Sequence, residues 1–158
     1  MTLEITREKY PYRQAVHGII INDDKQFLLI QKLTYQGNEW SFAGGGIEEN
    51  ETPKQAVLRE LKEELGSKKF EVIAESKIPY SYEWPDHVIL RQYQKTGRLY
   101  RGNQIKYFLS KFSGNKEELK LRDDELRAIK WVTLEELPKH LIFPGQWQAA
   151  EKVVKELL

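Results

Sequence analysis

Cysteine is absent from the 158 residues, which excludes disulfides and thiolate metal sites outright. Apolar runs are short, and none approaches the roughly 20 residues that a membrane-spanning helix requires. The first residues, MTLEITREKYPYR, mix acids and bases where a secretory signal would carry an apolar core. Net charge is nearly absent as well. Lys and Arg number 25 against 24 Asp and Glu, leaving +1, which alone points to no polyanionic partner. There is no internal repeat, low-complexity segment or linker. These absences describe a single domain over residues 1–158, cytoplasmic, with no membrane partner and no evidence on oligomeric state. With 40% apolar and 31% charged residues, the chain has the makings of a globular core.

What is present reads as alternating strands and helices. Residues 1–13 look irregular. Residues 15–21 and 26–31 are apolar and β-branched-rich, split by Asn22, Asp23, Asp24 and Lys25, a strand–turn–strand pattern. His17 lies in the first of them as a structural or edge residue. Further strands are predicted at 70–75, 77–82, 104–112 and 128–132. A short helix with a capping box starts at Thr133 and ends near Pro138, and residues 146–158 form an amphipathic closing helix with Trp147, Ala150, Val154 and Leu157 at helical spacing. Strands interleaved with two substantial helices suggest a mixed sheet covered on both faces. Residues 86–103 read as a long loop. From His87 to Lys116 there are seven basic residues and no acid, with Tyr93, Tyr100 and Tyr107 interleaved. Such a stretch either faces phosphates, with rings available to bases, or is a solvated loop before a strand.

The chain is organised around residues 40–67, WSFAGGGIEENETPKQAVLRELKEELGS: a strand end, a glycine turn, a loop and an acidic helix. Thr52, Pro53 and Gln55 mark the helix start, and Gly66 its stop, which predicts Pro53–Leu65. On a wheel of about 100° per residue, Glu60, Glu63 and Glu64 share one face, while Leu58, Leu61 and Leu65 share the neighbouring one. Like charges at this spacing repel, and anions near a helix C-terminus are disfavoured. The cluster is either a solvated acidic face or a site for a hard divalent cation such as magnesium, which takes carboxylate oxygens and substrate phosphates. Backbone carbonyls of Gly44, Gly45 and Gly46 can face such an ion.

Gly45, Glu51 and the run Arg59-Glu60-Leu61-Lys62-Glu63-Glu64-Leu65-Gly66 match the pattern G-x5-E-x7-R-E-U-x-E-E-x-G-U over 23 residues, where U is a bulky aliphatic. The chain thereby resembles the Nudix hydrolase family. Ser67 departs from the closing apolar position, and Ala43 stands where many members have proline. Within the family it looks most like the branch containing bacterial RNA pyrophosphohydrolases and diadenosine tetraphosphate hydrolases. That likeness rests on Tyr12-Arg13, on Trp40-x-Phe42-x-x-Gly45-Gly46-Ile47, on the strand through Gln104 and Tyr107-Phe108-Leu109, and on Glu125 before Trp131-Val132. Two departures bear on substrate: Gly44 replaces a frequent glutamine, and Phe143-Pro144-Gly145 replaces a frequent Phe-Lys-Arg.

The resemblance implies an α/β fold, a Nudix-type α/β/α sandwich with a central mixed sheet. It implies magnesium-dependent hydrolysis of a phosphoanhydride in a nucleoside polyphosphate, with manganese as the alternative ion. The substrate would be a dinucleoside polyphosphate, a nucleoside triphosphate or a 5′-triphosphorylated RNA end. Glu60, Glu63, Glu64 and the Gly45 carbonyl would hold the metal. Glu63, Glu64, Glu125 and Arg59 form the catalytic set. In it Glu125 is the general base or an extra ligand, and Arg59 pairs with Glu51 to hold the loop against the helix. Arg13, Arg91, Arg101, Lys106 and Gly44 would bind substrate. The rival reading is a nucleotide sensor that kept the fold and lost hydrolysis.

Overall fold

A computed structural model describes residues 6–77 and 79–158. Of the expected irregular N-terminal segment, residues 1–5 lie outside the described residues, as does Ile78 in the strand predicted over 77–82. Thr6 precedes a single 3-10 turn, Arg7–Lys9.

The apolar, β-branched-rich run at 15–21 becomes the central strand, β1 (Tyr12–Ile21). Asn22 turns the chain by accepting, on Oδ1, the N–H groups of Asp24 and Gln26 at 3.0 and 2.9 Å. Strand β2 (Phe27–Lys32) follows, then β3 (Ala43–Gly46), α1 (Pro53–Leu65), β4 (Phe70–Glu75), β5 (Tyr80–Glu83), α2 (Asp86–Thr96), β6 (Gly102–Phe112), β7 (Leu126–Val132), α3 (Leu137–His140) and α4 (Gln146–Leu157). β1 runs parallel to β6 from the pair Tyr12–Gly102 to the pair Ile21–Lys111. Its other edge is shared between β3, opposite residues 15–18, and β2, at Ile21 and Phe27. β7 extends the sheet beyond β2, and β4 and β5 divide the free edge of β6, giving a mixed sheet of seven strands.

The period-two pattern of β1 sorts its side chains onto two cores. Ala15 and Ile19 face the layer that holds Phe42, Tyr107 and the α4 residues Ala150 and Val153. Val16 and Ile20 face the layer that holds Ala56, Val57, Leu61 and Leu65 of α1. The sheet is therefore sandwiched between α1 and α4. Leu61 rests on Gly18, where an added Cβ would stand 3.2 Å from the leucine methyl. Truncating a leucine buried like this one costs about 2–5 kcal/mol. No helix among the described residues is long and apolar enough to cross a membrane.

The α1 boundaries are as predicted. Thr52 Oγ1 accepts the Gln55 N–H, the Gln55 side chain returns to the Thr52 N–H, and Gly66 closes the helix at φ 67°. Four expectations change. Residues 44–46 form a strand and not a turn. Their φ values are negative, and the glycines are required for close approach, as the site shows. Residues 86–96 form helix α2 and not a loop: Asp86 sits in its first turn, Ile89 is buried, and Gly97 stops it at φ 74°. Arg7 fastens its start, donating to Glu83, to the Trp84 carbonyl and to Asp86 at 3.0, 3.0 and 2.6 Å. The helix begun at Thr133 continues to His140. Pro138 falls in the first turn of α3, where its missing N–H costs nothing. His17 is a structural residue but not an edge one, since β1 is paired on both sides.

Candidate active site

The site forms where β3 meets α1. β3 passes close over the helix because Gly45 carries no side chain. A Cβ on Gly45 would stand 2.5 Å from Glu60 Oε1, and one on Gly46 would stand 2.5 Å from an Arg13 guanidinium nitrogen. Arg59 then ties the loop down. Its Nε and a terminal nitrogen donate to the two oxygens of Glu51 at 2.6 and 2.9 Å, and that nitrogen also donates to the Gly46 carbonyl at 3.0 Å. Glu51 in turn accepts the Glu48 N–H at 3.0 Å. The remaining nitrogen of Arg59 donates to Glu60 and Glu63 at 3.0 and 3.2 Å. The expected fork between Arg59 and Glu51 is thus present. It holds Glu51 below the usual carboxylate range.

The three glutamates of α1 differ in surroundings. Glu64 is 2% exposed, and its Oε2 has no hydrogen-bond partner. Burial pushes its pKa up to about 8; Glu60 and Glu125 add to that, while Lys32 and the Gly44 N–H oppose it. Burial also raises Glu60, against the pull of Arg59. Glu63 is exposed and lies 3.2 Å from Arg59 and 3.9 Å from Arg122. Glu125 approaches from the loop before β7, 3.7 Å from Arg122, close enough for its charge to be felt at Glu60 and Glu64. Among the described residues, no three acidic or histidine side chains already stand close enough together to hold a metal. The donor set nonetheless fits a hard cation. The buried Glu64 has one oxygen without a partner, Glu60 beside it is largely shielded at 14% side-chain exposure, and every donor is oxygen.

A cleft of about 410 Å³ opens beside Glu60, lined among others by Arg13, Tyr12, Tyr100, Gly46 and Ile47. A smaller one of about 190 Å³ adjoins it at Gln14 and Ile47, with Lys77, Gln104 and Lys106 on its wall. Of the expected substrate residues, Arg13 and Lys106 therefore line cavities. Gly44 does not: it is buried opposite His17, with the Val16 carbonyl where a Cβ would stand. Arg101 is paired with Glu83 and lies over the Tyr12 ring at 4.8 Å. Arg91 is exposed on α2. Sequence reading missed Lys32, beside Glu64, and Arg122, which stands between Glu63 and Glu125. The charged run at 122–125 was the available signal for Arg122; Lys32, at a strand end, carried none.

An α/β/α sandwich whose helix turns carboxylates toward an arginine-bearing cleft is an enzyme architecture suited to anionic substrates. The NUDIX domain model matches residues 11–156, and the chain belongs to the Nudix family. It is a pyrophosphohydrolase of that family. It is 35% identical over 148 residues to the RNA pyrophosphohydrolase of Rickettsia africae, covering 92% of this chain and 89% of that protein. It is 34% identical, with the same coverage, to the RNA pyrophosphohydrolase of Rickettsia prowazekii. Among solved structures, the E. coli dihydroneopterin triphosphate pyrophosphohydrolase superposes with a TM-score of 0.71 at 22% identity, covering 92% of this chain and 99% of that one. A C. elegans Ap4A hydrolase gives 0.64 at 21% identity, covering 90% and 97%. At such identities these two show the shared fold.

Proposed function

We propose that this Nudix pyrophosphohydrolase cleaves a phosphoanhydride of a nucleoside polyphosphate, with the 5′-triphosphate end of RNA as the favoured substrate. The observation that carries the reading is the junction of opposite charges: Glu60, with its side chain 14% exposed, lines the cleft that contains Arg13, and the buried Glu64, one oxygen of which has no partner, lies one turn further along the same helix. Relatives named for action on RNA, matched over 92% of the chain, favour the RNA end over a dinucleotide.

Glu60, Glu63, Glu64 and the Gly45 carbonyl would hold magnesium, or manganese in its place. When bound, the ion neutralises the phosphate chain and makes water a stronger nucleophile. Arg13 grips the phosphates from the cleft wall, and Lys106 extends that grip into the adjoining cavity. Glu125 takes the proton of the attacking water. Its exposure, at 49% of the side chain, and its electrostatic reach to Glu60 and Glu64 support that role. The water oxygen bonds to phosphorus, the anhydride bond breaks, and the leaving phosphate keeps the electron pair. Arg59 acts by position, holding Glu51, Glu60 and the β3 carbonyl together. The compartment we assign is the cytoplasm.

A hydrolysis panel of triphosphorylated RNA, diadenosine tetraphosphate, nucleoside triphosphates and nucleotide sugars, with and without magnesium and with the products separated by chromatography, tests this. Magnesium-dependent hydrolysis of the RNA end is expected to lead the panel. Tight binding with no hydrolysis of any substrate would instead establish a sensor.

A further inference from the structure

The seven basic residues between His87 and Lys116 separate into two groups in the fold. Arg101 is held by Glu83, Lys106 lies 3.5 Å from Glu75, and Lys111 lies 3.1 Å from Asp23. Lys116 donates to Gln26 at 2.6 Å and covers the Trp131 ring. Arg91, Lys95 and Arg98 have no carboxylate within ion-pair distance among the described residues. These three are neighbours. Arg91 and Lys95 are one turn apart on the exposed face of α2, about 5–6 Å between their Cβ atoms, and Arg98 follows the Gly97 stop. The only acid on α2, Asp86, is taken up by Arg7 at 2.6 Å. Arg98 stands two residues before Tyr100, which lines the cleft that holds Arg13. Lys95 also complements the helix C-terminus, but Arg91, a turn earlier, gains little from it. The result is a set of three exposed cations, without ion-pair partners among the described residues, that begins two residues from a cleft-lining tyrosine and continues onto the outward face of a helix.

We propose that Arg98, Lys95 and Arg91 form a track that binds the phosphate backbone of the single-stranded RNA trailing from a 5′ end held in the cleft. The proposal rests on the function proposed above and extends it. On this reading a dinucleotide held in the cleft makes fewer of these contacts than an RNA several nucleotides longer. The track therefore selects RNA ends over small nucleotides by electrostatic contact, without reading sequence.

Two measurements test this. For the wild-type chain, kcat/KM on a longer triphosphorylated RNA should fall more steeply with salt than on a triphosphorylated dinucleotide. The difference in log–log slope should be about 2, since each single-strand phosphate contact contributes about 0.7. Equal slopes overturn the track, and this arm needs no variant. In R91E/K95E, kcat/KM on the longer RNA should fall about tenfold further than on the dinucleotide. Equal effects on the two substrates, or none, overturn it as well. Binding of an unreactive 5′-hydroxyl RNA separates this proposal from the function it rests on. If the wild type hydrolyses no substrate, the functional reading fails, yet salt-sensitive binding lost in R91E/K95E still supports the track.

Discussion

The carboxylate of Glu60 fills the space that a side chain on Gly45 would need, 2.5 Å from the position of its Cβ. Strand and helix are thus fitted to each other through a missing methyl. Gly45→Ala must push Glu60 off its position beside the cleft or lift β3 from α1. A displacement near 1 Å at a reacting centre is worth about a hundredfold in rate. Gly45→Ala is therefore expected to lower kcat by about tenfold to a hundredfold, with the protein still folded by circular dichroism. Native turnover in this variant would show that the contact has no bearing on the chemistry.

Arg59 makes four distinct attachments, to Glu51, Gly46, Glu60 and Glu63. Lysine keeps the charge but cannot present two parallel N–H groups to Glu51 while reaching Gly46. The pair is largely shielded, with side chains 21% and 13% exposed, so little of its value is lost to solvent. Arg59→Lys should cost about 1–3 kcal/mol in urea unfolding and lower kcat/KM at least tenfold, roughly the effect of freeing the loop. Full activity in Arg59→Lys would mean that charge alone suffices there.

Helix α1 was legible because its signals are local: Thr52 and Gln55 at one end, Gly66 at the other, and glutamates and leucines on separate faces. β1 and β2 were legible as apolar, β-branched-rich runs split by turn residues, and β6 by its alternation. The glycines of β3 misled because a glycine run has the same appearance whether it serves a turn or a close approach. What requires it here, Glu60 and Arg13, comes from distant sequence. Helix α2 was missed for a related reason. Pro85 offers no side-chain cap, and the stretch was judged by its charges and rings instead of by Gly97 and the burial of Ile89. Within the site, α1 and its pattern yielded the acids. The positions of Lys32 and Arg122 depend on how β2 and the loop before β7 are brought to α1, which no spacing records.

His17 supplies a pH test. Burial, then the charges of Lys32 and Arg13, lower its pKa from 6.5 to about 3. Its ring meets Tyr107 edge-on at 5.7 Å. The folded chain thus keeps it neutral where the unfolded chain would bind a proton. The unfolded state holds more protons between these two values, so the contribution of His17 to stability rises with pH there. It is fully present above pH 6.5 and is lost as pH falls toward 3. His17→Gln removes the term. The stability difference between wild type and His17→Gln, from urea midpoints, should shift against the wild type as pH drops below 6.5. A pH-independent difference would show that the histidine already titrates normally in the fold.

Glu63 and Glu64 separate binding of a cation from packing. Glu63 is 42% exposed and contributes to no core, whereas Glu64 is 2% exposed with one oxygen unpartnered. Glu63→Gln should leave the melting temperature of the magnesium-free protein unchanged. Glu64→Gln should raise it above about pH 8, where Glu64 would otherwise carry a buried charge that lacks full compensation, and change it little below that pH, where the carboxyl is already protonated. Magnesium should stabilise the wild type, as any ligand of the folded state does, and should stabilise both variants less. Turnover should fall at least about a hundredfold in each, as expected when a group acts on the transition state and not on folding. If Glu63→Gln kept a near-native rate in magnesium, Glu63 could not be a ligand, and the site would have to be rebuilt around Glu60, Glu64 and Glu125.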